Sequence, residues 1–262
     1  MHKIYFTSWL FAVLLLCPLF SCGQWLLGPV AGVQLTHTTE AQAPGGGITY
    51  QQKARMGFHA GFMGALQLNS PNFMLLTQLA YSRKGRDIQI EPNLMFNQAV
   101  FHHLDVPLLL AYRLGGGSRQ AGGPRLYLMG GPDFSFWLGG RGTLSGGELA
   151  TVGAQRYTLR FGAASASTVG TIYYSNANRL QLGLNAGLLL HLPLAKAHTA
   201  LVMVRYYHGQ TYLSNNGTVQ GWLSTFSDQP SVANRFLGVS CAYLLPAAPG
   251  QRQRPRKVKG RR

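Results

Sequence analysis

Through most of this chain, apolar residues recur at every second position. In 55–68, Met56, Phe58, Ala60, Phe62, Gly64, Leu66 and Leu68 share one face, and His59, Gly61, Ala65 and Gln67 share the other. In 100–114, Leu104, Val106, Leu108, Leu110 and Tyr112 alternate with Asp105, Leu109, Ala111 and Arg113. In 125–138, Leu126, Leu128, Phe134, Phe136 and Leu138 alternate with Tyr127, Gly131, Asp133 and Ser135. A period of two marks an extended strand whose two faces meet different surroundings. The same reading predicts eight strands, at 25–38, 55–68, 73–84, 100–114, 125–138, 179–192, 199–212 and 234–245.

The connections sort by length. Short ones fall at Ser70-Pro71-Asn72, at 115–124 and at 193–197, and long ones at 39–54, 85–99, 139–178 and 213–233. Short and long alternate strictly. A membrane barrel with short periplasmic turns, long outer loops and both termini in the periplasm has this rhythm. The predicted fold is therefore all-β, an antiparallel up-and-down transmembrane β-barrel of eight strands. Two further strands around 157–161 and 168–174 would make it ten. Beyond the N-terminal segment no stretch offers eighteen unbroken apolar residues, so a membrane crossing here requires a closed barrel that pairs every backbone group internally. Charged residues are only 11% of the chain, against about a quarter in soluble proteins. That scarcity suits a wall facing lipid.

The ends read differently. Residues 1–23 carry His2 and Lys3, then an apolar run over 9–20, then Ser21-Cys22-Gly23. This is the pattern of a cleaved signal peptide. A lipobox at Leu19-Phe20-Ser21-Cys22 competes, with Cys22 lipidated, although Phe20 is bulky for that site. After cleavage only Cys241 remains, so neither a disulfide framework nor a cysteine metal cluster is expected. The barrel domain is assigned to 24–246 and a basic tail to 247–262. Seven of its last twelve residues are basic (Arg252, Arg254, Arg256, Lys257, Lys259, Arg261, Arg262). The tail explains much of the net charge of +16 and reads as a disordered, solvated periplasmic segment, not a nucleic-acid site.

Three stretches carry a family resemblance. "GFHAGFMGALQLNSPNFMLLTQLAYSRKGRDI" (57–88), "LDVPLLLAYRLG" (104–115) and "LYLMGGPDFSFWL" (126–138) resemble successive strands of the PorT-like outer-membrane β-barrel proteins of Bacteroidota. The likeness covers 30–138 well and the last three strands in pattern only. It implies an eight-stranded outer-membrane barrel and is weak for activity. The long 139–178 segment and the basic tail depart from the family.

The sharpest chemical feature is a set of ionisable residues on the face opposite the leucine stripe: Asp105, Arg113, Asp133 and Arg205. A cation turned to lipid near the midplane costs about 2–4 kcal/mol, so these side chains are expected to face the lumen. There they form either a salt-bridged plug or the lining of a narrow polar path, and the plug suits a lumen only wide enough for side chains. No Gly-x-Ser-x-Gly elbow accompanies the serines and histidines, and enzymatic activity is not expected. His102 and His103 are adjacent in a strand and point to opposite faces, so they cannot share a metal ion. No catalytic, metal or cofactor residue is assigned. Gly130-Gly131 reads as a bend or bulge. Tyr81, Tyr112, Trp137, Tyr206, Tyr212 and Tyr243 suit interfacial girdles, and Trp222 and Phe226 are candidate recognition residues in an outer loop. The expected function is that of a non-enzymatic surface scaffold or a component of an envelope machine. Its partners are outer-membrane lipid and an unidentified envelope protein. The alternatives are a narrow pore and a secreted soluble barrel holding a small apolar ligand.

Overall fold

A computed structural model describes residues 24–40, 49–68, 70, 72–91, 95–115, 123–162, 169–194, 198–213, 219–220 and 232–247. The chain runs β1 (Gln24–Glu40), β2 (Thr49–Gln67), β3 (Phe73–Glu91), β4 (Met95–Arg113), β5 (Arg125–Ser145), β6 (Gln155–Phe161), β7 (Thr171–Tyr174), β8 (Leu180–Pro193), β9 (Thr199–Gly209), β10 (Val219–Gln220) and β11 (Val232–Pro246).

Eight of these strands close a ring in the order β1-β2-β3-β4-β5-β8-β9-β11, every neighbour antiparallel. Closure comes from β1 against β11, from Leu26↔Pro246 to Glu40↔Val232. A closed ring leaves no unpaired edge, which a strand in hydrocarbon cannot tolerate. The two ends of the barrel domain are tied together, with the Ala247 amide donating to the Trp25 carbonyl at 2.9 Å.

β5 is a branch point. Its first half pairs β8 from Arg125↔His191 to Phe136↔Leu180, and its second half pairs β6 from Gly140↔Leu159 to Leu144↔Gln155. The change follows a bulge, where His103 faces Trp137 but His102 faces Gly139. Beyond Phe136, β8 no longer covers this edge of β5, and β6 takes its place. β7 then pairs β6 in parallel, Thr158↔Thr171 to Phe161↔Tyr174. The two strands anticipated around 157–161 and 168–174 therefore exist. They form a flap above the ring and add nothing to its count of eight.

In two of the long connections the described residues continue the sheet. The connection read at 85–99 is a continuing hairpin, paired from Lys84↔Phe101 to Ile90↔Met95. β2 likewise begins at Thr49 and pairs β3 from Thr49↔Glu91 to Ala54↔Arg86. Above the hydrocarbon the outward face no longer has to be apolar, so the contrast that revealed the strands fades while the pairing continues.

The outward face is apolar, with Leu27, Val33, Phe62, Leu79, Leu110, Leu128, Leu184 and Leu237 exposed. The interior is layered. At the short-turn end it is packed by apolar side chains including Leu26, Met63, Leu76, Leu109, Leu189, Leu201 and Leu244. A polar belt follows. At the long-loop end a second cluster, with Phe101, Trp137, Leu144, Tyr157, Ile172 and Tyr174, lies beneath the flap. An eight-stranded lumen is filled by side chains and needs no water, so both faces of a strand can be apolar.

Gly130-Gly131 is no bulge. Leu110↔Gly130 and Pro107↔Asp133 keep one register. What glycine allows at 131 is a close approach, since a Cβ there would lie 2.0 Å from the Leu108 carbonyl oxygen.

Candidate functional site

The inner face of each ring strand is set by alternation, and mid-barrel it brings charged groups together. β3 contributes Lys84, β4 Asp105, β5 Asp133 and Ser135, β8 Asn185 and β9 Arg205, all buried. Lys84 Nζ lies 2.9 Å from Asp105 Oδ1 and donates to Ser135 Oγ at 3.1 Å. The Ser135 hydroxyl donates to the same Asp105 oxygen at 2.5 Å. Asn185 Nδ2 donates to Asp133 Oδ2 at 2.9 Å.

Aromatic faces complete the belt. Tyr207 stacks on Phe236 at 4.9 Å between centroids and 11° between planes. Lys84 Nζ sits 5.2 Å from the Tyr207 ring centre, and the Arg205 guanidinium carbon 5.5 Å from that of Phe236. A desolvated cation over an aromatic face is held by the ring quadrupole. Two cations, Lys84 and Arg205, thus share the belt with two carboxylates, Asp105 and Asp133. The charges balance, which is what a low-dielectric interior demands.

Of the charged set read from the sequence, Asp105, Asp133 and Arg205 lie in this belt. Arg113 does not. It shares the inner face of β4 but stands eight residues on from Asp105, roughly 27 Å along an extended strand. That puts it half-exposed at the short-turn rim. Inward phase alone does not bring residues to one height. Lys84, which the sequence reading left out, holds the centre. It is in phase with Gln78 and Ser82, so the alternation of β3 pointed to it; a strand end beside Arg83 and Gly85 concealed it. Arg86 was missed with the rest of the outer hairpin. It is buried, with its guanidinium 5.4 Å from the Phe101 ring centre.

Trp137 is not an interfacial girdle residue. It shares the odd, inward phase of Asp133 and Ser135 and is 0% exposed. Its ring meets Phe161 at 4.8 Å, Phe101 at 5.4 Å and Tyr174 at 5.4 Å, and its Nε1 donates to the Gly139 carbonyl at 2.9 Å. It joins the flap to the ring. Tyr81, Tyr112, Tyr206, Tyr212 and Tyr243 are exposed, and Tyr81 shares a hydrogen bond with His102 on the outer wall. Trp222 and Phe226 lie outside the described residues.

Among the described residues, Ser135 beside Lys84 is a pairing that brings acyl-transfer chemistry to mind. Here Lys84 is an ion-paired donor, and both groups are sealed from solvent by the layers above and below. Among the described residues no three His, Cys, Asp or Glu side chains converge as metal ligands would.

A closed antiparallel ring with an apolar outer wall and its ionic groups turned inward defines a small transmembrane β-barrel. A family model described as an outer membrane protein beta-barrel domain matches residues 20–209. The chain belongs to that family and resides in the cell outer membrane. That location overturns the secreted soluble carrier, which would carry its apolar face inward only. Similar solved structures include outer membrane protein OprG from Pseudomonas aeruginosa, at 13% identity over 86% of this chain and 97% of that one with a TM-score of 0.47. Ail, the attachment invasion locus protein of Yersinia pestis, solved with the heparin analogue sucrose octasulfate, is 12% identical over 85% and 99%, with a TM-score of 0.37. Neisserial surface protein A is 10% identical over 82% and 95%, with a TM-score of 0.38. No curated relative matches the sequence.

Proposed function

We propose that the protein is a non-conducting, non-enzymatic scaffold that holds a rigid platform above the outer membrane. The carrying observation is the filling of the lumen by three successive layers: apolar, ionic, then aromatic. A barrel stopped along its length has no path for solute. Its outer half, by contrast, is elaborated. The β3–β4 hairpin and the start of β2 continue as sheet, and β6 and β7 pack down onto Trp137. Ordered structure above the hydrocarbon is what a surface scaffold or an envelope-machine component needs in order to present a fixed face to a partner.

Within its family, the strand motifs at 57–88 and 104–115 favour the PorT-like branch. Residues 1–23 serve as the export signal in this reading, and 247–262 as a periplasmic tail. The test is conductance. Purified, refolded barrel, verified by heat-modifiable gel mobility, is added to planar bilayers. No discrete steps are expected. Reproducible single-channel openings would replace this reading with that of a narrow pore.

A further inference from the structure

A second concentration of charge lies on the outer wall. The outward series on β3 reads Phe73, Leu75, Thr77, Leu79, Tyr81 and then Arg83. On β5 it reads Leu126, Leu128, Phe134, Phe136 and Leu138, and past the bulge Arg141. The switch falls at one height on both strands. Arg83 is paired with His102 and Arg141 with Val100, and these are consecutive outward positions of β4. Such a switch from apolar to cationic is what the boundary between hydrocarbon and headgroups would select.

At that height Arg55, Arg83, Arg141 and Arg156 line one open depression of about 480 Å³, with Gln98 and Thr158 between them. Four guanidiniums in one depression repel one another unless anions intervene. One is answered internally, for Arg55 Nη1 lies 2.7 Å from Asp87 Oδ1. Among the described residues no carboxylate forms an ion pair with Arg83, Arg141 or Arg156. Acidic residues number only seven in the chain against 23 basic ones, and two of the seven are committed to the lumen. Among the described residues these three arginines therefore have no ion-paired counter-charge. Arginine presents a planar fork that takes phosphate oxygens two at a time, and Gln98 and Thr158 add neutral donors for sugar hydroxyls.

We propose that Arg83, Arg141 and Arg156 form a binding site for saccharide phosphate groups, carried by the phosphorylated glycolipid headgroups that surround the barrel. Arg83 and Arg141 hold a phosphate against the wall, and Arg156 closes on it from the flap. The site requires the outer-membrane location but is independent of whether the platform recruits a protein.

The test reconstitutes the full barrel into phosphatidylcholine vesicles carrying diphosphoryl lipid A. Lipid A retained per barrel after mild extraction is then counted by native mass spectrometry. Wild-type protein is expected to retain it and to ignore lipid A stripped of phosphates. The R83Q/R141Q/R156Q variant should retain about tenfold less or lower, since each hydrogen bond to a charged group contributes on that scale. Arg113→Gln, at the opposite rim, should retain as much as wild type. A second arm titrates inositol hexakisphosphate against the protein in detergent alone. Saturable binding that the triple variant loses, without lipid A retention, keeps the phosphate site and assigns it to a soluble source. Retention that survives in the triple variant, equal loss in Arg113→Gln, or no binding in either arm overturns the site. Heat-modifiable mobility is checked first for each variant. If the triple variant does not fold, Arg156→Gln, outside the ring, is read in its place by the same criteria.

Discussion

Lys84 and Asp105 meet at 2.9 Å inside the barrel, on adjacent strands, both almost fully buried. Ser135 binds both partners from a third strand. The triad thus ties β3, β4 and β5 at one height. A buried pair of this kind does not outweigh a hydrophobic replacement, but breaking it leaves a stranded charge.

Single and double substitutions should therefore differ in cost. Asp105→Asn is expected to lower stability by about 3–5 kcal/mol, because Lys84 keeps its charge without a counter-ion. Lys84→Met combined with Asp105→Leu should recover most of that loss. Urea unfolding in detergent micelles, followed by tryptophan fluorescence, gives both values. Equal destabilisation of the two variants would show that charge pairing is not what the site contributes.

Gly183 makes room for an aromatic ring. A Cβ at this position would lie 2.3 Å from the Tyr207 ring, and that ring stacks on Phe236 beneath Lys84. Gly183→Ala should push Tyr207 off its partner and cost about 1–3 kcal/mol through overpacking. Gly183→Ala combined with Tyr207→Leu should cost less than the sum of the two single changes, as a shared contact requires. Strict additivity in the same unfolding assay would contradict the packing described.

Trp137 anchors the flap. Trp137→Ala removes ring contacts to Phe101, Phe161 and Tyr174, a loss of about 3–5 kcal/mol at a buried site. The ring strands below keep their pairing. The variant should therefore still migrate as a folded barrel while protease added outside cuts between β6 and β7 faster than in wild type. Unchanged cleavage would mean that β5 and β6 hold the flap without the tryptophan.

In the non-conducting reading, the apolar layer and the ionic belt each suffice to close the lumen. Truncating Leu109, Leu189 and Leu201 together to alanine empties the lower layer, at about 2–5 kcal/mol for each change. No conductance should appear, because Lys84, Asp105, Arg205 and the aromatic layer still fill the barrel above. Single-channel steps in planar bilayers would place the only seal at the periplasmic end.

Cys241 faces outward between Ala31 and Val202. In protein beginning at Gln24 it is the sole thiol. A membrane-impermeant maleimide should leave it unlabelled in lipid vesicles and modify it quickly after unfolding in urea. Rapid labelling of the folded protein in vesicles would mean that this wall does not contact hydrocarbon.

Period-two alternation by itself determined the eight ring strands, their inner and outer faces and the sorting of short turns to one end, because hydrocarbon outside a closed wall imposes one rule on every strand. The same alternation placed Asp105, Asp133 and Arg205 inward. It carries no information about height, so only the register of β3, β4 and β5 joined Lys84 to Asp105 and left Arg113 at the rim. Above the membrane the outward positions are free to be polar, and the hairpins there faded from view in the sequence although their backbone pairing continues. The packing of Trp137 beneath the flap, the branching of β5 and the meeting of Arg83, Arg141 and Arg156 on one wall were likewise settled by tertiary structure. Each depends on which strand lies beside which, and local pattern does not encode that.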